Sequence, residues 1–98
     1  MKTHILVIGR NAEILQTVVR LVNNNDQWEA TGATTDNDAI NAFGTQPFKL
    51  VLLCNGIDPE SEDTLRAAFK AVNPDVVIIQ HYGGGSGLLA AEIYQALG

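Results

Sequence analysis

The sequence predicts a three-layer α/β/α domain built on a four-stranded parallel sheet in the order 2-1-3-4. Three observations lead there. Short apolar runs alternate with stretches of helical periodicity along the whole chain, the rhythm of successive strand–helix units in a doubly wound sheet. Leu50-Val51-Leu52-Leu53 is unbroken by any polar residue, as expected of a strand buried on both faces of a parallel sheet. Right-handed crossovers between parallel strands then send helices to both faces, with the switch point between the first and third strands.

Each element has its own local reason. Ile5-Leu6-Val7-Ile8 is a short buried strand closed by Gly9. Asn11 caps a helix whose apolar positions Ile14, Leu15, Val18, Val19 and Val22 follow helical spacing, and the polar cluster Asn23-Asn24-Asn25-Asp26 stops it. Trp28 to Thr34 is a more polar strand, suited to a sheet edge. Thr35 and Asp38 form a capping box before Ala39, Ile40 and Phe43, and Gly44 with Pro47 ends that helix.

The central strand, Phe48-Lys49-Leu50-Val51-Leu52-Leu53-Cys54-Asn55, follows. Asp58-Pro59 then pairs an N-cap with a proline at the first helical position. Leu65, Phe69 and Val72 give the third helix an apolar stripe, and Pro74 ends it. Val76 to Ile79 is the fourth strand. A glycine-rich link, Gly83-Gly84-Gly85-Ser86-Gly87, leads to a last helix, Leu88 to Leu97, with Leu89, Ile93 and Leu97 on one face.

Composition bounds the function. The 98 residues make one small domain, 1–98, and 46% hydrophobic content is ordinary for a packed protein. No apolar run is long enough to cross a bilayer, and Met1-Lys2-Thr3-His4 is not the start of a signal peptide, so no membrane role is expected. A single cysteine excludes an internal disulfide and disfavours a metal cluster, and a cytoplasmic setting follows. The net charge of −5, with six Lys and Arg scattered as singletons, argues against nucleic-acid binding. No cofactor is expected.

The run His4-Ile5-Leu6-Val7-Ile8-Gly9-Arg10-Asn11-Ala12-Glu13-Ile14-Leu15, together with the central strand, resembles a response-regulator receiver domain, a flavodoxin-like fold. The resemblance covers about the first eighty residues and rests mainly on hydrophobic rhythm. It implies two acidic residues after the first strand to hold Mg²⁺, which prefers hard oxygen ligands; Gly9 and Arg10 stand there. It implies a phosphorylated aspartate at the end of the third strand, where Cys54 stands. The small hydroxyl residue it implies at the end of the fourth strand is matched by Gln80. The lysine-bearing fifth strand has no counterpart, as though a helix and a strand were deleted and strand four joined to the closing helix through the glycines. The fold implied is receiver-like and the expected chemistry is degenerate.

Several residues invite a sharper reading. Cys54 is a candidate thiol at the sheet crevice, and an adjacent Arg10 would favour its thiolate; packing as a small hydrophobe at a strand end is the plainer role. His81, just after the fourth strand, could face Cys54 in a nucleophilic pair, although no orienting acid is evident. Arg10 with Gly83, Gly84, Gly85 and Ser86 could hold an anion through backbone N–H groups, or the glycines could serve only as a joint. Asp58, Glu60, Glu62 and Asp63 are explained by the helix dipole without a metal. Trp28 either anchors a partner or covers the base of the sheet.

The leading functional expectation is a noncatalytic, receiver-like signalling and protein-interaction module. A small thiol or phosphoryl-handling enzyme using Cys54 and a small-anion or nucleotide sensor at the switch point are the alternatives. The partner expected is a protein, including a second copy of the chain paired through the fourth-strand edge or the final helix. The final helix is expected beside the first.

Overall fold

Four strands, β1 (Thr3–Ile8), β2 (Trp28–Ala33), β3 (Phe48–Cys54) and β4 (Val77–His81), form a parallel sheet in the order β2-β1-β3-β4. Helices α1 (Ala12–Asn23), α2 (Asp36–Phe43), α3 (Pro59–Val72) and α4 (Ser86–Leu97) complete the alternation. The computed structural model describes residues 2–54, 56–81 and 86–97, without the side chains of 81 and 86–89. Gly83, Gly84 and Gly85 therefore lie outside the described residues, as does the Leu89 side chain.

The helix starts are made by the expected caps. Asn11 Oδ1 accepts the N–H groups of Glu13 and Ile14 at 3.0 and 3.1 Å. Thr35 Oγ1 accepts Asp38 N–H at 3.1 Å, and Asp58 Oδ1 accepts Ser61 N–H at 3.3 Å with Pro59 at the helix start. Each bond satisfies a donor that the first turn leaves without an intrahelical partner.

Pleat alternation sorts the strand side chains into two cores. On one face Ile5, Val7, Leu50, Leu52 and Cys54 meet Leu15, Val18 and Val22 of α1 and Ile93 of α4. On the other Leu6, Ile8, Val51 and Leu53 meet Ala39 and Phe43 of α2 and Leu65 and Phe69 of α3. Helix α4 thus packs beside α1, as the sequence leads one to expect. Tyr94 fixes it further, accepting a hydrogen bond from Asn25 Nδ2 at 2.7 Å and lying 4.7 Å, centroid to centroid, from Trp28. Trp28 is 4% exposed and covers the base of the sheet. Burying a Leu, Ile or Phe contributes about 1.5–3 kcal/mol, so these two layers are the main source of stability.

Some boundaries and faces differ from the sequence expectation. Ile14 and Val72 are 57% and 65% exposed, at the margins of their helices' apolar stripes rather than within them. The fourth strand starts at Val77, because Val76 N–H bonds Asn73 O and Val76 O accepts from Lys70 Nζ in the turn leaving α3. It runs on to His81, since β3 offers ladder partners as far as Cys54. His81 is therefore the last residue of β4, not the residue after it. Strand β1 begins two residues before the apolar run, with Thr3 N–H bonded to Gln27 O. Strand β2 ends at Ala33, one residue early, where the ladder with β1 stops at Ile8. Ser86 and Gly87 belong to α4 rather than to the link before it.

Candidate functional site

In a parallel doubly wound sheet, ligands bind outside the carboxyl ends of the strands, at the switch point. Here that point lies between β1 and β3, and two residues occupy it. Gly9 follows β1, its N–H bonded to Ala33 O at 3.1 Å. Cys54 ends β3 with its side chain turned toward the α1 face, 6% exposed. A β-carbon placed on Gly9 would come 3.2 Å from Cys54 Cβ and 3.8 Å from Leu15 Cβ, so the strands are closely packed at this level.

Burial pushes the Cys54 thiol up to about 11. The group is a protonated thiol at neutral pH, and the thiolate is the nucleophilic form. Arg10 does not act on it as the sequence reading considered. Its guanidinium turns to the connection between β2 and α2, donating from Nη1 to Thr34 O at 2.9 Å and from Nη2 to Asp36 Oδ1 at 2.5 Å. Hydrogen bonds from Ser61 hold the Asp58 carboxyl below its usual value, and the Arg10 charge lowers it further.

The backbone of His81 pairs with Cys54 in the β3–β4 register, whereas the His81 side chain lies outside the described residues. Gln80 turns to the α3 side of the sheet and donates from Nε2 to Glu62 Oε1. The other oxygen of Glu62 accepts from Arg66 Nε at 2.8 Å, one helical turn on. Ser86 opens α4, and Gly83, Gly84 and Gly85 fall outside the described residues. Among the described residues no three His, Cys, Asp or Glu side chains converge as metal ligands, and no helix is long and apolar enough to cross a membrane.

The carboxyl edge therefore holds a buried neutral thiol, a bare glycine backbone, a guanidinium tied to Asp36, and a Gln80–Glu62–Arg66 chain reaching α3. The Arg10–Asp36 and Gln80–Glu62 pairs carry no local signature in the sequence. They join residues 26 and 18 apart through the crossovers.

No protein-family model matches the chain, and no curated protein matches it in sequence. Solved structures do match it in fold. The BeF3-activated DrrB receiver domain superposes with a TM-score of 0.80 at 16% identity, over 99% of this chain and 98% of that one. A response regulator receiver protein from Pseudomonas putida gives 0.70 at 19% identity, over 98% and 80%. A signal receiver domain of an HD domain-containing protein from Pseudomonas fluorescens Pf-5 gives 0.71 at 19% identity, over 98% and 76%. The chain has the flavodoxin-like receiver fold, and the structural likeness extends past the eighty residues that carry the sequence resemblance.

Proposed function

We propose that this chain is a receiver-like signalling and protein-interaction module that takes up no phosphoryl group. The supporting observation is the set of groups at the carboxyl ends of β1 and β3. The receiver resemblance calls for Mg²⁺-binding acids there, and a divalent cation needs hard, preferably anionic oxygen ligands. Gly9 offers no side chain and Arg10 brings a like charge, so these residues do not fit the metal. The resemblance also calls for an aspartate able to form an acyl phosphate. Cys54 is a buried thiol instead, and its pKa of about 11 weighs against thiol catalysis as well. In this reading the work is done by surfaces, in the cytoplasm, where a lone cysteine stays reduced.

The test is incubation with acetyl phosphate and Mg²⁺ followed by intact-mass measurement. The expected spectrum is unmodified protein. A stoichiometric, hydroxylamine-labile phosphoryl adduct would overturn the proposal, and a hydroxylamine-stable adduct lost in Cys54→Ser would favour thiol chemistry. Because the DrrB structure is of a BeF3-activated receiver, beryllofluoride with Mg²⁺ is a second probe, and it should leave the amides of Gly9 and Cys54 unmoved.

We further infer a homodimer through the outer edge of β4. That strand pairs only with β3 among the described strands and carries Val77, Ile78 and Ile79 half-buried. An open apolar edge is a template for pairing with a second strand. Beside it Ile79, Glu92, Gln95 and Ala96 line a shallow groove between β4 and α4, which a second copy would also cover. Light scattering at high micromolar concentration should give twice the chain mass; a monomer there refutes the dimer.

A further inference from the structure

The opposite end of the sheet holds a feature that the signalling proposal does not use. At the amino ends of β1 and β3, Lys2, Thr3, His4, Glu29, Pro47 and Lys49 line a notch of about 620 Å³. The chain has six Lys and Arg and two His, with a net charge of −5. Three of those eight basic groups, Lys2, His4 and Lys49, meet in this one depression. Lys49 lies far from Lys2 and His4 in sequence and joins them only through the pairing of β3 with β1.

The pairing itself is irregular here. His4 is opposite Phe48, but Ile5 is opposite Leu50, so Lys49 is an extra residue in β3. Such a bulge breaks the pleat alternation locally and re-aims a side chain. Lys49 is exposed at the notch, while its neighbours Phe48 and Leu50 are fully or almost fully buried. The imidazole of His4 is set by an edge-on contact with Phe48, ring centroids 6.0 Å apart at 76°. Its Nδ1 is buried and has no hydrogen-bond partner among the described residues, although Glu29 Oε2 lies 3.2 Å away. The Glu29 side chain is half-exposed.

We propose that this notch binds a small oxyanion of the phosphate class. Lys2 and Lys49 supply the charge and His4 Nδ1 the directional donor. Glu29 now occupies the place where the oxyanion's oxygen would lie, so binding displaces its carboxylate toward solvent. Two ammonium groups match the two charges of a phosphate, and an acceptor on His4 removes an unmet buried polar atom. The site is separate from the switch point: Lys49 and Cys54 lie at opposite ends of β3, roughly 16 Å of strand apart.

The experiment is a titration of the ¹⁵N-labelled chain with inorganic phosphate, with N-acetyl-phosphoserine as a second arm and potassium chloride at matched ionic strength as the control. Saturable shifts of the Thr3, His4, Glu29 and Lys49 amides by either phosphate support the site, and the tighter of the two tells whether a free ion or a phosphomonoester is its ligand. For partly exposed ion pairs, Lys49→Gln should weaken binding roughly two- to fivefold and Glu29→Gln should tighten it by a similar factor. Both side chains are exposed, so neither change threatens folding. Shifts of equal size with chloride, affinities that neither variant moves, or shifts confined to Gly9 and Arg10 would each overturn the proposal.

Discussion

Gly9 and Cys54 close the sheet at the place where this fold opens: a β-carbon on the glycine would stand 3.2 Å from Cys54 Cβ and 3.6 Å from its sulfur. The neighbour is a strand residue within the core, so it cannot simply swing away. Gly9→Ala is therefore an overpacking change and should cost about 1–3 kcal/mol. Urea unfolding followed by circular dichroism reads it; an unchanged midpoint would mean that β1 and β3 separate easily at their carboxyl ends.

The thiol supplies a second prediction, with a definite sign. Its folded pKa of about 11 lies above the ordinary value of 9.0. The native state thus keeps a proton that the unfolded chain gives up. The associated stability is complete below pH 9 and is lost as pH rises toward 11, by up to about 3 kcal/mol at 1.36 kcal/mol per unit. Cys54→Ala should flatten that part of the stability–pH profile. At pH 8 the native thiol should resist iodoacetamide and react only after denaturation.

Replacing Cys54 by aspartate should not create a phosphoacceptor. Gly9 and Arg10 would still supply no metal ligands, and the new carboxyl would enter a site only 6% exposed. A buried polar group without partners costs about 1–3 kcal/mol, and more when charged. The variant should be less stable than the parent and unlabelled by acetyl phosphate. Efficient Mg²⁺-dependent labelling of Cys54→Asp would contradict this.

Arg10 and Asp36 invite an opposite expectation. Both side chains are about one-third exposed, so the 2.5 Å ion pair is screened by solvent. Arg10→Ala should cost no more than about 1 kcal/mol. Its larger effect should be on order: the amides of Thr34 and Asp36 should exchange faster once the guanidinium no longer ties the β2–α2 connection to β1. Hydrogen exchange at those two positions is the measurement.

Ile93 tests the seating of α4. It is fully buried among Leu15, Val18 and Val22 of α1 and the inner side chains of β1 and β3. Ile93→Ala should destabilise by about 2–5 kcal/mol. Tyr94→Phe, which removes only the exposed bond from Asn25, should cost about 0.5–1.5 kcal/mol. A small loss for Ile93→Ala would mean that α4 contributes little to the core.

Much of the fold was legible because its determinants are local. Asn11, Thr35 and Asp58-Pro59 mark helix starts by their own chemistry, and the run Leu50 to Leu53 marks a doubly buried strand. Strand order followed from the doubly wound pattern and its switch point, and the side taken by α4 from the sheet face that α2 and α3 leave uncovered. The failures are equally physical. Periodicity finds an apolar stripe but not its margins, which tertiary rotation of the helix decides; hence Ile14 and Val72. The ends of β4 depend on the Asn73–Val76 turn and on the length of β3. Arg10 pairs with Asp36, and Lys49 joins Lys2 and His4, only through contacts across strands, and the bulge at Lys49 depends on register with another strand. The role of Trp28 rests on Tyr94, a residue of the last helix that reaches its ring only through the tertiary fold.

The division of the core into two unequal halves has a consequence for synthesis on the ribosome. The face covered by α2 and α3 has both helices in hand before β4 is made, so it can close as soon as the last strand docks. The other face has only α1 until α4 emerges, and its share of β3 and β4, including Leu50, Leu52, Val77 and Ile79, must wait for Ile93. During that interval the nascent chain presents an apolar sheet surface beside an unpaired strand edge, the kind of surface on which chaperones act and aggregation begins. The order of elements along the chain therefore sets one half of the molecule to mature before the other.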